Sequence, residues 1–180
     1  NNVPALDDEF AKDVSEFDTL EELKADIRAK ALEKAEKNAQ TNFETACVDK
    51  AAENTTVDMP NALIERELDV QMERFAYQLQ MSGYSMEQYA KMMGGDLNTM
   101  RNAFRPAAEK QAKINVTLAK IVEVEGIEAN EDEIAAEFEA LAGKYEMTVE
   151  KIKDMIPVEE VKESLVTRKA VKVIVDSAVA

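Results

Sequence analysis

The chain has 180 residues, and 37 acidic against 22 basic side chains leave a formal net charge of −15, with no histidine and one cysteine. Such a surface repels phosphate backbones and anionic lipid, which argues against nucleic acid and membrane as partners of this chain on its own. The missing histidine removes the commonest general base and metal ligand, and the single Cys47 excludes an internal disulfide and fits a reducing compartment.

Four prolines and five glycines among runs of alanine, glutamate and lysine point to an all-α chain of long helices. No apolar run reaches membrane-spanning length, and the opening NNVPALDDEF has no signal-peptide pattern. The absence of an initiating Met ahead of Val3-Pro4 is expected of a piece of a longer protein. The acids are concentrated: residues 7 to 22 carry eight against Lys12 alone, and residues 123 to 139 carry eight and no base. Such runs most often mark solvated faces.

Residues 1 to 18 form an acidic lead-in whose Leu6, Phe10, Val14 and Phe17 could dock a short helical turn. Thr19 and Glu22 make a capping box. Leu20, Leu23, Ile27, Ala31, Ala35, Ala39, Phe43 and Cys47 then recur every three or four residues, predicting a spine helix to about Glu53, roughly 50 Å long at 1.5 Å per residue. Cys47 on this face reads as a small buried hydrophobe. Asn54-Thr55-Thr56 breaks the spine, and Pro60 suits the first position of the next helix.

From Pro60 the periodicity breaks at Ser82-Gly83, resumes from Ser85, breaks at Gly94-Gly95 and continues to Gly126, a helical hairpin with a small helix at its tip. Ile64, Leu68, Met72, Phe75 and Leu79 share one face of the incoming helix, and Val70, Tyr77 and Met81 lie roughly opposite. Residues 72 to 104 hold six of the nine methionines. Methionine re-packs around many apolar shapes, so Met72, Phe75, Tyr77, Met81, Tyr84, Met86, Tyr89, Met92, Met93, Met100 and Phe104 are a candidate surface for apolar polypeptide. The alternative is that the second stripe is buried by this chain or by another copy of it. The outgoing helix is capped by Asp96 or Asn98 and runs through Met100, Phe104, Ala107, Ala108, Ile114, Leu118, Ile121 and Val122. Pro106 is expected in or near its first turns, and a deeper position would kink it.

Asn130 with Glu133 opens a helix whose apolar face is Ile134, Phe138, Leu141 and Tyr145. Thr148 starts a short one bearing Val149, Ile152, Met155 and Ile156, and Pro157 opens the last, with Val158, Val161 and Leu165. Two projections thus come after the spine, residues 60 to 122 and 127 to 176. Leu141, Tyr145, Ile152 and Met155 are a second candidate client site, against the alternative of a miniature core completed by Phe138 and Ile156. The closing KAVKVIVDSAVA is apolar on more than one side, and the spine is its simplest neighbour. No carboxylate is tied by spacing to a cysteine pair or a phosphate loop, and the Glu-x-x-His pairs of carboxylate-bridged metal bundles cannot be made. The expectation is no enzyme, no metal and no cofactor.

The segment VPALDDEFAKDVSEFDTLEELKADIR resembles the one that lies after the isomerase domain in bacterial trigger factors. DMPNALIERELD resembles that family's Pro-x-x-Leu-Ile helix start, and AEFEALAGKYEMTVEKIKDMI its second-arm segment. The likeness covers essentially the whole chain. It implies a single C-terminal chaperone domain over residues 1–180, an extended helical body with two arms that cradles unfolded or nascent chains. Lead-in and spine would occupy 1–59, the first arm 60–126, the second arm and closing helix 127–180. The fold is also similar to the peptide-binding part of the periplasmic chaperone SurA. The resemblance further implies a cytoplasmic, ribosome-associated, ATP-independent folding factor. Its ribosome-docking domain, with the signature Gly-Phe-Arg-x-Gly-x-x-Pro, and its FKBP-like prolyl isomerase domain are expected outside these residues. A homodimerising module whose arms self-associate, or a weak homodimer, is the alternative reading.

Overall fold

The computed structural model describes residues 6–179, so the Val3-Pro4 opening lies outside the described residues. Eight α-helices and no strand occur among them. The chain falls into two compact units, Asn1–Ala46 and Cys47–Ala180.

In the first unit, the Asp7 carboxylate accepts the Phe10 N–H at 3.0 Å and starts α1 (Asp8–Val14). Ala11 is buried, Phe10 and Phe17 are half-buried, and Leu6 and Val14 stay exposed, so only part of the expected apolar set docks. The Asp8 carboxylate accepts the Leu20 N–H at 2.8 Å and joins this turn to α2 (Leu20–Asn54). Thr19 and Glu22 form the expected capping box, with Glu22 N–H on the Thr19 hydroxyl at 3.3 Å and Thr19 N–H on the Glu22 carboxylate at 3.2 Å. The stripe down α2 is not covered as its periodicity suggests. Leu20 and Leu23 are half-buried, but Ile27, Ala31, Ala35, Ala39 and Phe43 are exposed. What favours helix here is the high propensity of Ala, Glu, Lys and Gln residues.

The second unit is built on two long helices, α3 (Asn61–Met81) and α5 (Leu97–Glu125), with α4 (Met86–Met92) between them. Ile64, Leu68 and Leu79 of α3 and Met100, Ala108, Ala112 and Leu118 of α5 are buried. Each large side chain among them contributes about 1.5–3 kcal/mol relative to exposure. Asp96 caps α5, its carboxylate accepting the Thr99 N–H at 2.8 Å, and Gly126 ends it in the left-handed region at φ 59°. Pro106 is not in the first turn. It is the tenth residue of α5, where its missing N–H removes one helical hydrogen bond.

A polar seam the sequence did not announce runs beside this packing. Arg101 pairs with Asp69 and Glu65, each at 2.6 Å, and Arg105 pairs with the same Glu65 carboxylate and with Asn61. The Arg101 and Arg105 guanidiniums together hold the Glu65 carboxyl below its usual range.

Beyond Gly126 come α6 (Glu131–Tyr145), α7 (Val149–Met155) and α8 (Val158–Val179). Asn130 and Glu133 form a reciprocal capping box at 2.9 Å each way, and Thr148 caps α7. Phe138, Ala142, Ile152 and Val161 make a small core joining the three helices. Further along, α8 turns Ala170 and Ile174 onto Leu118 of α5, with Cys47, Val48 and Ala51 packing on the same cluster. The closing helix therefore has α5 as its main neighbour rather than the spine, which contributes only its last turns. The reason is connectivity: Gly126 reverses the chain after α5, so the later helices are returned along α5 first.

Candidate functional site

Two glycine turns shape the tip of the hairpin. Gly83 at φ 81° and Gly94 at φ 78° occupy the left-handed position after α3 and α4, and each turn is closed by a pair of bonds. Tyr84 N–H reaches the Leu79 carbonyl at 2.9 Å and Gly83 N–H the Gln80 carbonyl at 3.0 Å; Gly95 and Gly94 repeat this on Ala90 and Lys91. These are Schellman caps, which satisfy the Leu79 and Gln80 carbonyls at the first break and the Ala90 and Lys91 carbonyls at the second. The Ser85 hydroxyl accepts the Gln88 N–H, and the Gln88 side chain accepts the Ser85 N–H, so α4 is capped at both ends by its own residues.

The candidate residues divide sharply. Phe75, Tyr89 and Phe104 are half-buried and form an aromatic trio across the three helices, Phe75 lying 5.3 Å edge-on from Tyr89 and 5.2 Å from Phe104 between ring centres. Such pairs add about 0.5–1.5 kcal/mol beyond burial. Met72 and Met86 are also half-buried. Met100, at 8% exposed, belongs to the core, because the first turn of α5 directs it inward. Met81 at 75%, Met93 at 68%, Tyr77 at 66%, Met92 and Tyr84 remain open. Five large apolar side chains are thus displayed on a tip whose three helices meet at the aromatic trio.

In the second arm the four candidates do not share one surface. Ile152 is 2% exposed and sits in the core with Phe138, and half-buried Leu141 packs against the same cluster. The miniature-core alternative describes these two, because Thr148 folds α7 back so that Ile152 points at Phe138. Tyr145 and Met155, the latter 67% exposed, stand outside it, joined by exposed Met147. Glu146, between Tyr145 and Met147, adopts φ 53° without being glycine, and Met147 N–H reaches the Ala142 carbonyl at 3.0 Å. Nothing in the sequence marks that turn.

Two shallow grooves flank α5. One of about 310 Å³ is lined by Leu118, Ala119, Val122 and Val166, with Asn115, Glu163 and Thr167 polar among them. The other, about 330 Å³, lies among Ala51, Ile121 and Val124 with Thr55, Thr117, Lys120 and Glu125. At its edge the Thr117 hydroxyl donates to the Thr55 hydroxyl at 3.1 Å, which donates to the Ala51 carbonyl at 2.9 Å. Sequence reasoning missed both grooves, since each needs the pairing of helices distant in sequence. Among the described residues no cluster of three or more metal-ligating side chains occurs, and no helix is long and apolar enough to cross a membrane.

Fold and site together define an all-α domain that displays adaptable apolar side chains on a capped hairpin tip. Residues 19–176 match the family model described as bacterial trigger factor protein (TF) C-terminus. The chain therefore belongs to the bacterial trigger factor family, within the C-terminal part of those proteins. It is 41% identical to the trigger factor of Clostridioides difficile (strain 630) over 177 residues, 97% of this chain. It is also 41% identical to that of Caldicellulosiruptor bescii over 179 residues, 98% of this chain. In both cases it spans 41% of the relative's length. Among solved structures it is similar to a trigger factor chaperone described for promiscuous substrate recognition in folding and assembly (TM-score 0.53, 20% identity, 98% of this chain, 43% of that one). It is likewise similar to a structure of trigger factor domains from Thermotoga maritima (TM-score 0.53, 16% identity, 74% of this chain, 82% of that one). At these identities the likeness shows the fold.

Proposed function

We propose that this chain is a chaperone domain that holds apolar segments of unfolded or nascent polypeptides and keeps them from aggregating. The observation that carries the reading is the division at the first-arm tip: Tyr77, Met81, Tyr84, Met92 and Met93 are open while Phe75, Tyr89 and Phe104 hold the helices beneath them. An exposed Met and Tyr surface offers adaptable contact without a fixed sequence requirement, as promiscuous binding needs. Tyr145, Met147 and Met155 supply a second, smaller surface, and partly buried Leu141 its edge. Membership of the trigger factor family supports a cytoplasmic place for the activity, with ribosome contact and prolyl isomerisation carried by other parts of such proteins.

The test is suppression of light scattering by an aggregating, chemically denatured protein, together with sedimentation from nanomolar to high micromolar concentration. Changing Tyr77, Met81, Tyr84, Met92 and Met93 to serine is expected to remove most of the suppression while leaving helicity intact. Full suppression by that variant would refute the assignment. A tight dimer that buries these residues would replace it with self-association.

A further inference from the structure

The tip helix α4 is attached in an unusual way. Its own residues satisfy its polar termini: the Ser85–Gln88 box at one end, and Gly94 and Gly95 bonded back to Lys91 and Ala90 at the other. The neighbours are equally self-contained, since α3 is closed by Gly83 and Tyr84 bonding back to Gln80 and Leu79, and α5 by Asp96 on Thr99. Among the described residues, no hydrogen bond or ion pair joins Ser85–Gly95 to α3 or α5. What holds α4 down is apolar contact, through buried Ala90 and the edge of Tyr89 against Phe75. Beneath lies a larger apolar floor of Phe75 and Phe104, with Leu79 and Met100 buried at the same end of the hairpin.

A helix with these attachments can lift as a unit without leaving a buried backbone group unpaired, so motion costs only the apolar contact it gives up. At seven residues it is too short to be rigidly anchored by its own length. Meanwhile α3 and α5 stay together through their buried face and the Arg101, Arg105 and Glu65 seam.

We propose that the floor under α4 is a cryptic binding site for an apolar client segment, and that α4 is its displaceable internal occupant. This rests on the client-binding reading and adds a mechanism to it: α4, with Tyr89 and Ala90 on the floor, occupies the place a client's aromatic and small side chains would take. The occupant favoured is an apolar segment of an unfolded chain because α4, though a helix carrying Glu87, Gln88 and Lys91, is seated on the floor through Tyr89 and Ala90 by apolar contact alone. Affinity at the floor is then reduced by the fraction of molecules in which α4 is closed.

The experiment uses a fluorescein-labelled 15-residue peptide with Phe or Leu at every third or fourth position, measured by anisotropy on the whole chain. Ala90→Gln places a larger polar side chain at a buried position and penalises only the seated state. It is expected to tighten peptide binding roughly tenfold, equivalent to about 1.4 kcal/mol. Hydrogen exchange on the unaltered chain gives a second reading: peptide should speed exchange of the α4 amides while slowing those of residues 72–79 and 100–104. Unchanged or weaker binding by Ala90→Gln, or α4 amides that slow with peptide, would overturn the displacement while leaving surface binding intact. Peptide that binds neither form overturns the client-binding reading itself.

Discussion

Phe138→Ala tests whether the second arm stands on its small core. Phe138 is 0% exposed and packs with Ala142, Ile152 and Val161, with Ile134 and Leu165 among the half-buried side chains around it. Removing a fully buried Phe ring costs about 3–5 kcal/mol, the spread reflecting how far the site collapses. The Lys153 ammonium, 5.5 Å from the ring centre, loses its partner as well, adding about 0.5–1 kcal/mol. A domain of this size has about 5–15 kcal/mol in all, so a loss of this order is a large share of it. The damage should be local at first, because the cluster of Leu118, Ala170 and Ile174 is a separate set of contacts. Urea denaturation should show the loss, and hydrogen exchange should show residues 131–160 deprotected before Leu118 and Ile174. A loss below about 1 kcal/mol, or uniform deprotection across both clusters, would refute the reasoning.

Glu65, held ionised by Arg101 and Arg105, has a lowered folded-state pKa, so its stabilising contribution is present above the unfolded value of about 4.3 and is lost as pH falls through the folded one. Acid titration of thermal stability should therefore be flatter below about pH 4.5 in Glu65→Gln than in the parent. Glu133, lowered by the Lys169 ammonium and the Asn130 N–H, acts in the same direction, and Glu133→Gln should flatten the same window. Glu146→Gly relieves a non-glycine residue at φ 53° and should raise stability by roughly 0.5–1 kcal/mol in urea, net of the extra freedom of the unfolded chain. Asp96→Ala removes the carboxylate that accepts the Thr99 N–H at 2.8 Å, and should cost about 1 kcal/mol in the same assay.

Helix starts were legible because the signals that set them are local. Thr19 with Glu22, Asn130 with Glu133, Thr148 and Asp96 each act on a backbone N–H three residues away, and all four caps form. The turns at Gly83, Gly94 and Gly126 were legible for a similar reason, as left-handed backbone favours glycine; Glu146, at the same position without being glycine, was not. What periodicity could not reveal is pairing. It put Ile152 with Met155 on one face, and the Met-rich candidate surface grouped Met100 with Met92, yet one of each pair is buried and the other open, because the partner helix decides which face is covered. Likewise the Arg101, Arg105 and Glu65 seam joins residues 36 and 40 positions apart, beyond any local pattern.

The exposure of α2 has a thermodynamic consequence of its own. Between Lys24 and Ala46 nearly every side chain is open to water, so these turns are held by backbone hydrogen bonds and intrinsic propensity with little burial behind them. Helix of that kind melts by fraying and rewinding on the sub-microsecond scale, with weak dependence on any core. Ellipticity at 222 nm should accordingly decline as a long slope well before the cooperative step of Cys47–Ala180, and calorimetry should find little excess heat in the slope. In this stretch the chain behaves as a polymer with a temperature-dependent persistence, stiff in the cold and increasingly compliant as it warms.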